Sequence, residues 1–178
     1  MHLSFYLMIQ NIFGLKKSKF VNPEPLEKNL KQQKIIGEIG EMIALDFETN
    51  RLKINGFENI EKLTEHTAKI NSASGFDIRT SAKTDNRYIE VKSSTIKNSE
   101  FYITENEYQT LKELKKEAFI YFVHVENIQQ QSGNVYKIIK NPIEYLEKEA
   151  KLKPVVYKVN ITKKHPTTKN CAYKTNKI

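Results

Sequence analysis

Residues 75–94 read GFDIRTSAKTDNRYIEVKSS. Two short apolar runs hold charges inside them. Phe76 and Ile78 flank Asp77, Ile89 and Val91 flank Glu90, and Lys92 follows. In a strand, residues two apart share a face. Glu90 and Lys92 therefore point one way while Ile89 and Val91 point into a core. Between the runs, Ala82 to Arg87 is polar and contains Asp85-Asn86, so Gly75–Thr80 and Tyr88–Ser93 are predicted to pair as a hairpin. Pairing brings Asp77 and Glu90 onto one face. Two carboxylates brought together repel unless a cation lies between them. A hard divalent ion such as Mg²⁺ suits that arrangement, with oxygen ligands at about 2.1 Å and other positions left to water and phosphate. Lys92 adds positive charge beside it, suited to orienting water or holding negative charge that develops on phosphate.

A long helix is expected before the hairpin, from about Leu26 to Lys53, stopped near Gly56. Ile36, Ile39, Ile43 and Phe47 recur at helical spacing and are expected to face the core. Within it, GEIGEMIA (residues 37–44) places two glycines, each costing about 1 kcal/mol against alanine. Such glycines suit a close backbone approach. On the helical wheel Glu41 lies about 40° from Gly37, and Glu38 lies further round toward solvent. Glu41 is thus the candidate third carboxylate, with Glu38 in reserve.

After the hairpin, Phe101–Ile103 is short and apolar. Thr104-Glu105-Asn106-Glu107 then fits a capping box opening a helix to about Glu117. AFIYFVHV (Ala118–Val125) reads as a buried strand. A turn at Gln131–Asn134 leads to a strand at Val135–Ile139. Pro142 to Lys151 reads as a short helix, Val155–Ile161 as a last strand, and the basic tail from Lys163 as loose chain. The order implies an α/β fold with a mixed central sheet flanked by helices. Three regions are expected: an N-terminal extension over 1–25, a domain over 26–162 and the tail over 163–178.

The chain has 178 residues, 39% hydrophobic and 28% charged, with a net charge of +8. That balance favours an anionic partner such as nucleic acid. The single cysteine, Cys171, excludes an internal disulfide or a cysteine-built zinc site and points to a reducing, cytoplasmic setting. The apolar start, MHLSFYLMIQNIFGL, is too short to span a bilayer and has no basic region before it, so no membrane partner is expected. His2, His66, His124 and His165 show no metal-pair spacing. Tyr102, Tyr108 and Tyr121 read as core or rim, and Lys112, Lys115 and Lys116 as a solvated helix face. No GxxxxGK[ST] segment is present.

An Asp…Glu-x-Lys set alone arises by chance in many charged chains. Here it coincides with alternating strands, a glycine-bearing helix and a capped helix. A helix with Gly-x-x-Gly-Glu, then Gly-Phe-Asp-Ile, ten residues, then Ile-Glu-Val-Lys resembles the PD-(D/E)XK nuclease superfamily. The continuation Phe101-Tyr102-Ile103-Thr104-Glu105-Asn106-Glu107 and the later Ile120-Tyr121-Phe122-Val123 resemble, within it, the NO VEIN-type C-terminal domain, over about residues 35–125. The resemblance implies a restriction-endonuclease-like core. It also implies metal ligation by Asp77, Glu90, the Val91 backbone carbonyl and Glu41, with Lys92 as the catalytic lysine and Glu41 as accessory acid. Phe76 stands where the superfamily often has proline, and Ser93-Ser94 follow Lys92 where a Gly-Thr-like pair is usual.

The expected function is a Mg²⁺-dependent DNA endonuclease, with Mn²⁺ able to substitute, working in restriction, phage defence or repair. It would act alone, as a homodimer or within a larger restriction or helicase complex. Two alternatives stand beside it: a nucleic-acid-binding module of the same fold without chemistry, and a basic protein–protein adaptor in which Asp77, Glu90 and Lys92 form a structural ion pair.

Overall fold

The computed structural model describes residues 23–83, 85–97 and 100–152. Helix α1 runs from Pro23 to Ile54. It starts three residues before the expected point, because proline at the first helical positions lacks only N–H groups that have no intrahelical partner. Helix α2 (Ile60–Leu63) and strand β1 (Thr64–Glu65) follow, then β2 (Ile78–Thr80) and β3 (Arg87–Ser94). Helix α3 (Glu105–Leu114), β4 (Ala118–Asn127), β5 (Ser132–Lys140) and α4 (Pro142–Glu149) complete the order. The expected strand Val155–Ile161, the tail, and residues 1–22 of the N-terminal extension lie outside the described residues.

The strands form one sheet in the order β1-β2-β3-β4-β5. Three pairings are antiparallel, and β3 with β4 is parallel. A parallel pair needs a crossover, and α3 supplies it. This is the mixed, helix-flanked α/β sheet that the element order implied, consistent with a restriction-endonuclease-like core.

Side-chain alternation in β4 divides the core. Phe119, Tyr121, Val123 and Val125 pack with Ile78, Ile89, Val91, Ile39 and Ala44 beneath α1. Ala118, Ile120 and Phe122 pack on the other face with Leu111 of α3 and Ile143 and Leu146 of α4. Phe101 and Ile103 join this second cluster as irregular chain.

Four local expectations are corrected. The α1 face is rotated from the one expected: Ile39, Gly40, Ala44, Glu48 and Leu52 are buried, while Phe47 is 38% exposed and meets Tyr121 edge-on at the rim. Glu48 takes the inner place because its charge is matched there. Its carboxylate accepts from Arg51 Nε and Nη2 at 2.9 and 2.8 Å, from Arg87 and from the Tyr121 hydroxyl. Arg51 and Arg87 also hold Asp85. Burial alone would raise the Asp85 carboxyl, but the two guanidinium groups keep it below its ordinary range. The strand expected over Gly75–Thr80 is only three residues long, and its partner extends to Arg87 and Ser94. The last hairpin turns at Ile128–Gln131, earlier than expected, and Gly133 lies inside β5. A Cβ there would collide with the backbone of His124 and Val125. The glycine serves close strand approach beside a bulge, not the turn.

Candidate active site

The opposing carboxylates come from the β2–β3 hairpin. Ile78 pairs with Ile89, and one step further places Asp77 opposite Glu90. The Asp77 N–H donates to the Ile89 carbonyl at 2.9 Å. Beyond this point β2 has not begun, and the Val91 N–H donates instead to Asp77 Oδ2 at 2.7 Å. N–H and C=O of one strand residue leave on the same side, so the Val91 carbonyl also faces this edge.

Glu90 is 4% exposed. It lies beside Ile120 on the α3 face of the sheet, and Lys92 lies beside Phe122 on that same face. Lys92 Nζ donates to Glu90 Oε1 and to Glu107 Oε2, both at 2.8 Å. Glu107 belongs to the first turn of α3. The Thr104 hydroxyl accepts from the Glu107 N–H at 3.2 Å, and Glu107 Oε2 accepts from the Thr104 N–H at 3.0 Å. This is the capping box read in the sequence, with a second task added.

Glu41 of α1 reaches the same cleft, where its Oε2 lies 2.6 Å from His66 Nε2. Glu38, near Lys34, is more exposed and lines the outer part of the same cleft. The cleft has a volume of about 930 Å³, and its lining includes Glu41, Asp77, Glu90, Glu107, Lys34 and Lys69.

The charges in the cleft do not balance. Burial, then the neighbouring Glu41 and Glu107, outweigh the Val91 N–H and Lys92, and push Asp77 to about 6. Burial and the Asp77 charge push Glu90 to about 8 despite Lys92. Burial would lower Lys92, but Glu90 and Glu107 hold it above its ordinary value. A positive ion at the Asp77–Glu90 pair would relieve both carboxylates, and oxygen donors of this kind fit a hard divalent cation. Among the described residues, no three His, Cys, Asp or Glu side chains are gathered as a ready-made metal group. The fit therefore rests on two opposed carboxylates and the Val91 edge, with Glu41 tied to His66 alongside.

Asp77, Glu90 and Lys92 are thus brought together, and Glu41 borders them from α1. Glu107 and His66 were missed as site residues. Glu107 carried a signal that the cap accounted for, and His66 carried none.

The excess of basic charge lies in the terminal segments of the sequence. Residues 1–22 and 153–178 hold ten of the 29 lysines and arginines and none of the 21 acids. Among the described residues no helix is long and apolar enough to cross a membrane.

Residues 40–138, more than half of the chain, match the family described as Protein NO VEIN, C-terminal. No curated protein and no solved structure matches the chain.

Proposed function

The chain belongs to the NO VEIN C-terminal family, and from that membership and the cleft geometry we propose a divalent-metal-dependent nuclease of the PD-(D/E)XK kind that hydrolyses phosphodiester bonds in DNA. The observation that carries this reading is the opposition of Asp77 and Glu90, with Lys92 bonded to Glu90 on the same face. Asp77, Glu90 and the Val91 carbonyl would hold Mg²⁺ or Mn²⁺, with Glu41 beside them. The ion would supply Lewis-acid charge at the phosphate.

The chain's own residues do the rest. The Val91 N–H fixes one Asp77 oxygen and leaves the other for the cleft. Lys92, kept protonated by its two carboxylates, brings a permanent positive charge to stabilise the phosphate as its negative charge grows. Burial of Glu90 and most of Lys92 beneath α3 limits screening of these two charges by water.

The test is incubation of the purified protein with supercoiled plasmid in Mg²⁺, Mn²⁺ or EDTA. Nicked or linear product is expected only with metal, and is expected to vanish in Asp77→Asn. Intact plasmid and intact single-stranded DNA with both ions would sink the reading.

A second reading, a nucleic-acid-binding module of the same fold, draws on two observations: Lys92 is already matched by two carboxylates, and among the described residues no three-residue metal group is gathered. Under it, Asp77→Asn keeps full DNA affinity and no metal yields product.

A further inference from the structure

The same oxygen of Glu107, Oε2, accepts from the Thr104 N–H and from Lys92 Nζ. A capping box needs only an acceptor at this position, and glutamate and glutamine both serve. The bond to Lys92 is different, because it sets a negative charge against a buried ammonium. The Lys92 and Glu107 side chains are 16% and 21% exposed.

The first turn of α3 is seated without help from Lys92. Gly75 packs so closely on Asn106 and Thr110 that a Cβ on it would overlap the Thr110 side chain. The Asn106 amide donates to the Ala73 carbonyl at 3.1 Å. One helical turn therefore grips both the segment leading into Asp77 and the ammonium of Lys92. The other carboxylate on Lys92, Glu90, is also one of the pair that would hold the proposed cation.

We propose that Glu107 is a positioning residue for Lys92: anchored in the α3 cap, its carboxylate keeps the ammonium beside the cleft-lining Glu90 when Glu90 turns to a cation. This rests on the hydrolase reading of the cleft. Lys92 holds Glu90 by Oε1 alone, an ion drawing on the same carboxylate would weaken that bond, and without Glu107 the long lysine side chain is then free to leave its place.

The test is Glu107→Gln in the full chain. Glutamine keeps the cap acceptor and the volume and removes the charge. An unchanged melting profile is expected with Mg²⁺ present. Turnover should fall about 10- to 100-fold, the scale for losing a residue that orients a catalytic group. KM and the Mg²⁺ concentration for half-maximal rate should move far less. Adding the change to Lys92→Met should cause no further loss, because the residue acts only through Lys92. A Glu107→Gln protein that turns over like the parent, or that slows Lys92→Met further, overturns the proposal. A second measurement needs no turnover: acylation of surface amines read by mass spectrometry. Lys92 should label faster in Glu107→Gln than in the parent, and equal labelling overturns the proposal. Should the parent cleave no DNA with either ion, the hydrolase reading fails, and the labelling still decides whether Glu107 holds Lys92.

Discussion

Gly40 of α1 lies directly against Ser93 of β3, where a Cβ on the glycine would overlap the serine side chain. The Ser93 hydroxyl is buried there without a hydrogen-bond partner among the described residues. Gly37, one turn earlier, has open space beside it. The two glycines should respond oppositely to alanine. Gly37→Ala should stabilise by up to about 1 kcal/mol through helix propensity. Gly40→Ala gains the same term but forces α1 off the sheet, at about 1–3 kcal/mol or more, so it should destabilise. Urea unfolding midpoints check this, and equal responses would show that the close approach is not what selects glycine.

The pH dependence of stability follows from the raised carboxyls. Glu90 moves from an ordinary 4.5 to about 8, and Asp77 from 3.8 to about 6. Between about pH 4 and pH 8 the folded protein therefore binds more protons than the unfolded chain, so stability falls as pH rises. Each pKa unit corresponds to about 1.4 kcal/mol. In EDTA the melting temperature should drop across this window. Glu90→Gln should flatten most of the drop and melt higher than the parent at pH 8. A variant whose profile runs parallel to the parent's would contradict the burial argument.

Lys92→Met removes an ammonium that meets both Glu90 and Glu107. Without metal the variant should melt below the parent, because two carboxylates lose their partner. Mg²⁺ should recover part of that difference. Cleavage should slow by about 100-fold or more, the scale of one lost electrostatic stabiliser. Parent-like cleavage by a folded variant would remove Lys92 from the chemistry.

The Glu48 cluster is a structural matter. Glu48 is fully buried and shared by Arg51, Arg87 and Tyr121. Glu48→Ala leaves two guanidinium groups facing a void and should cost about 3–5 kcal/mol. Tyr121→Phe removes one hydroxyl and should cost about 1–2 kcal/mol. Chemical denaturation of both variants gives the comparison, and a smaller loss for Glu48→Ala would mean that the arginines find other partners.

On the proposed nuclease reading, the salt dependence of DNA binding should follow the terminal segments. Replacing Lys163, Lys164, Lys169, Lys174 and Lys177 with glutamine should flatten the plot of log affinity against log salt, by about 0.9 for each lysine that meets duplex phosphate. An unchanged slope would place the DNA contacts on the sheet domain.

The hairpin and its paired charges were legible because they are local. Alternation and a polar turn determine which side chains share a face, and Asp77 and Glu90 are thirteen positions apart. The Thr104 cap was legible for the same reason. Glu48 was not, since its partners Arg87 and Tyr121 lie 39 and 73 positions away, and a helical wheel centred on Ile36, Ile39, Ile43 and Phe47 leaves it off the expected face. Gly133 was misread because glycine marks both turns and crowded strands, and only the neighbouring His124 backbone tells them apart. Glu107 was read for one of its two bonds, because the other crosses from β3 to α3. Ile60–Lys69, with its short helix, two-residue strand and 3₁₀ turn, is too brief to show any period.

The amide hydrogen of Val91 bonds a side chain where a neighbouring strand would usually receive it. Ladder amides in the middle of a sheet exchange with deuterium only when the ladder opens. This one is shielded by a carboxylate that can rotate, gain a proton or turn to an ion. Its exchange rate and its resonance frequency therefore follow the state of Asp77 while the rest of β3 stays closed. A single backbone proton, needing no label beyond ¹⁵N, observes the centre of the cleft from within.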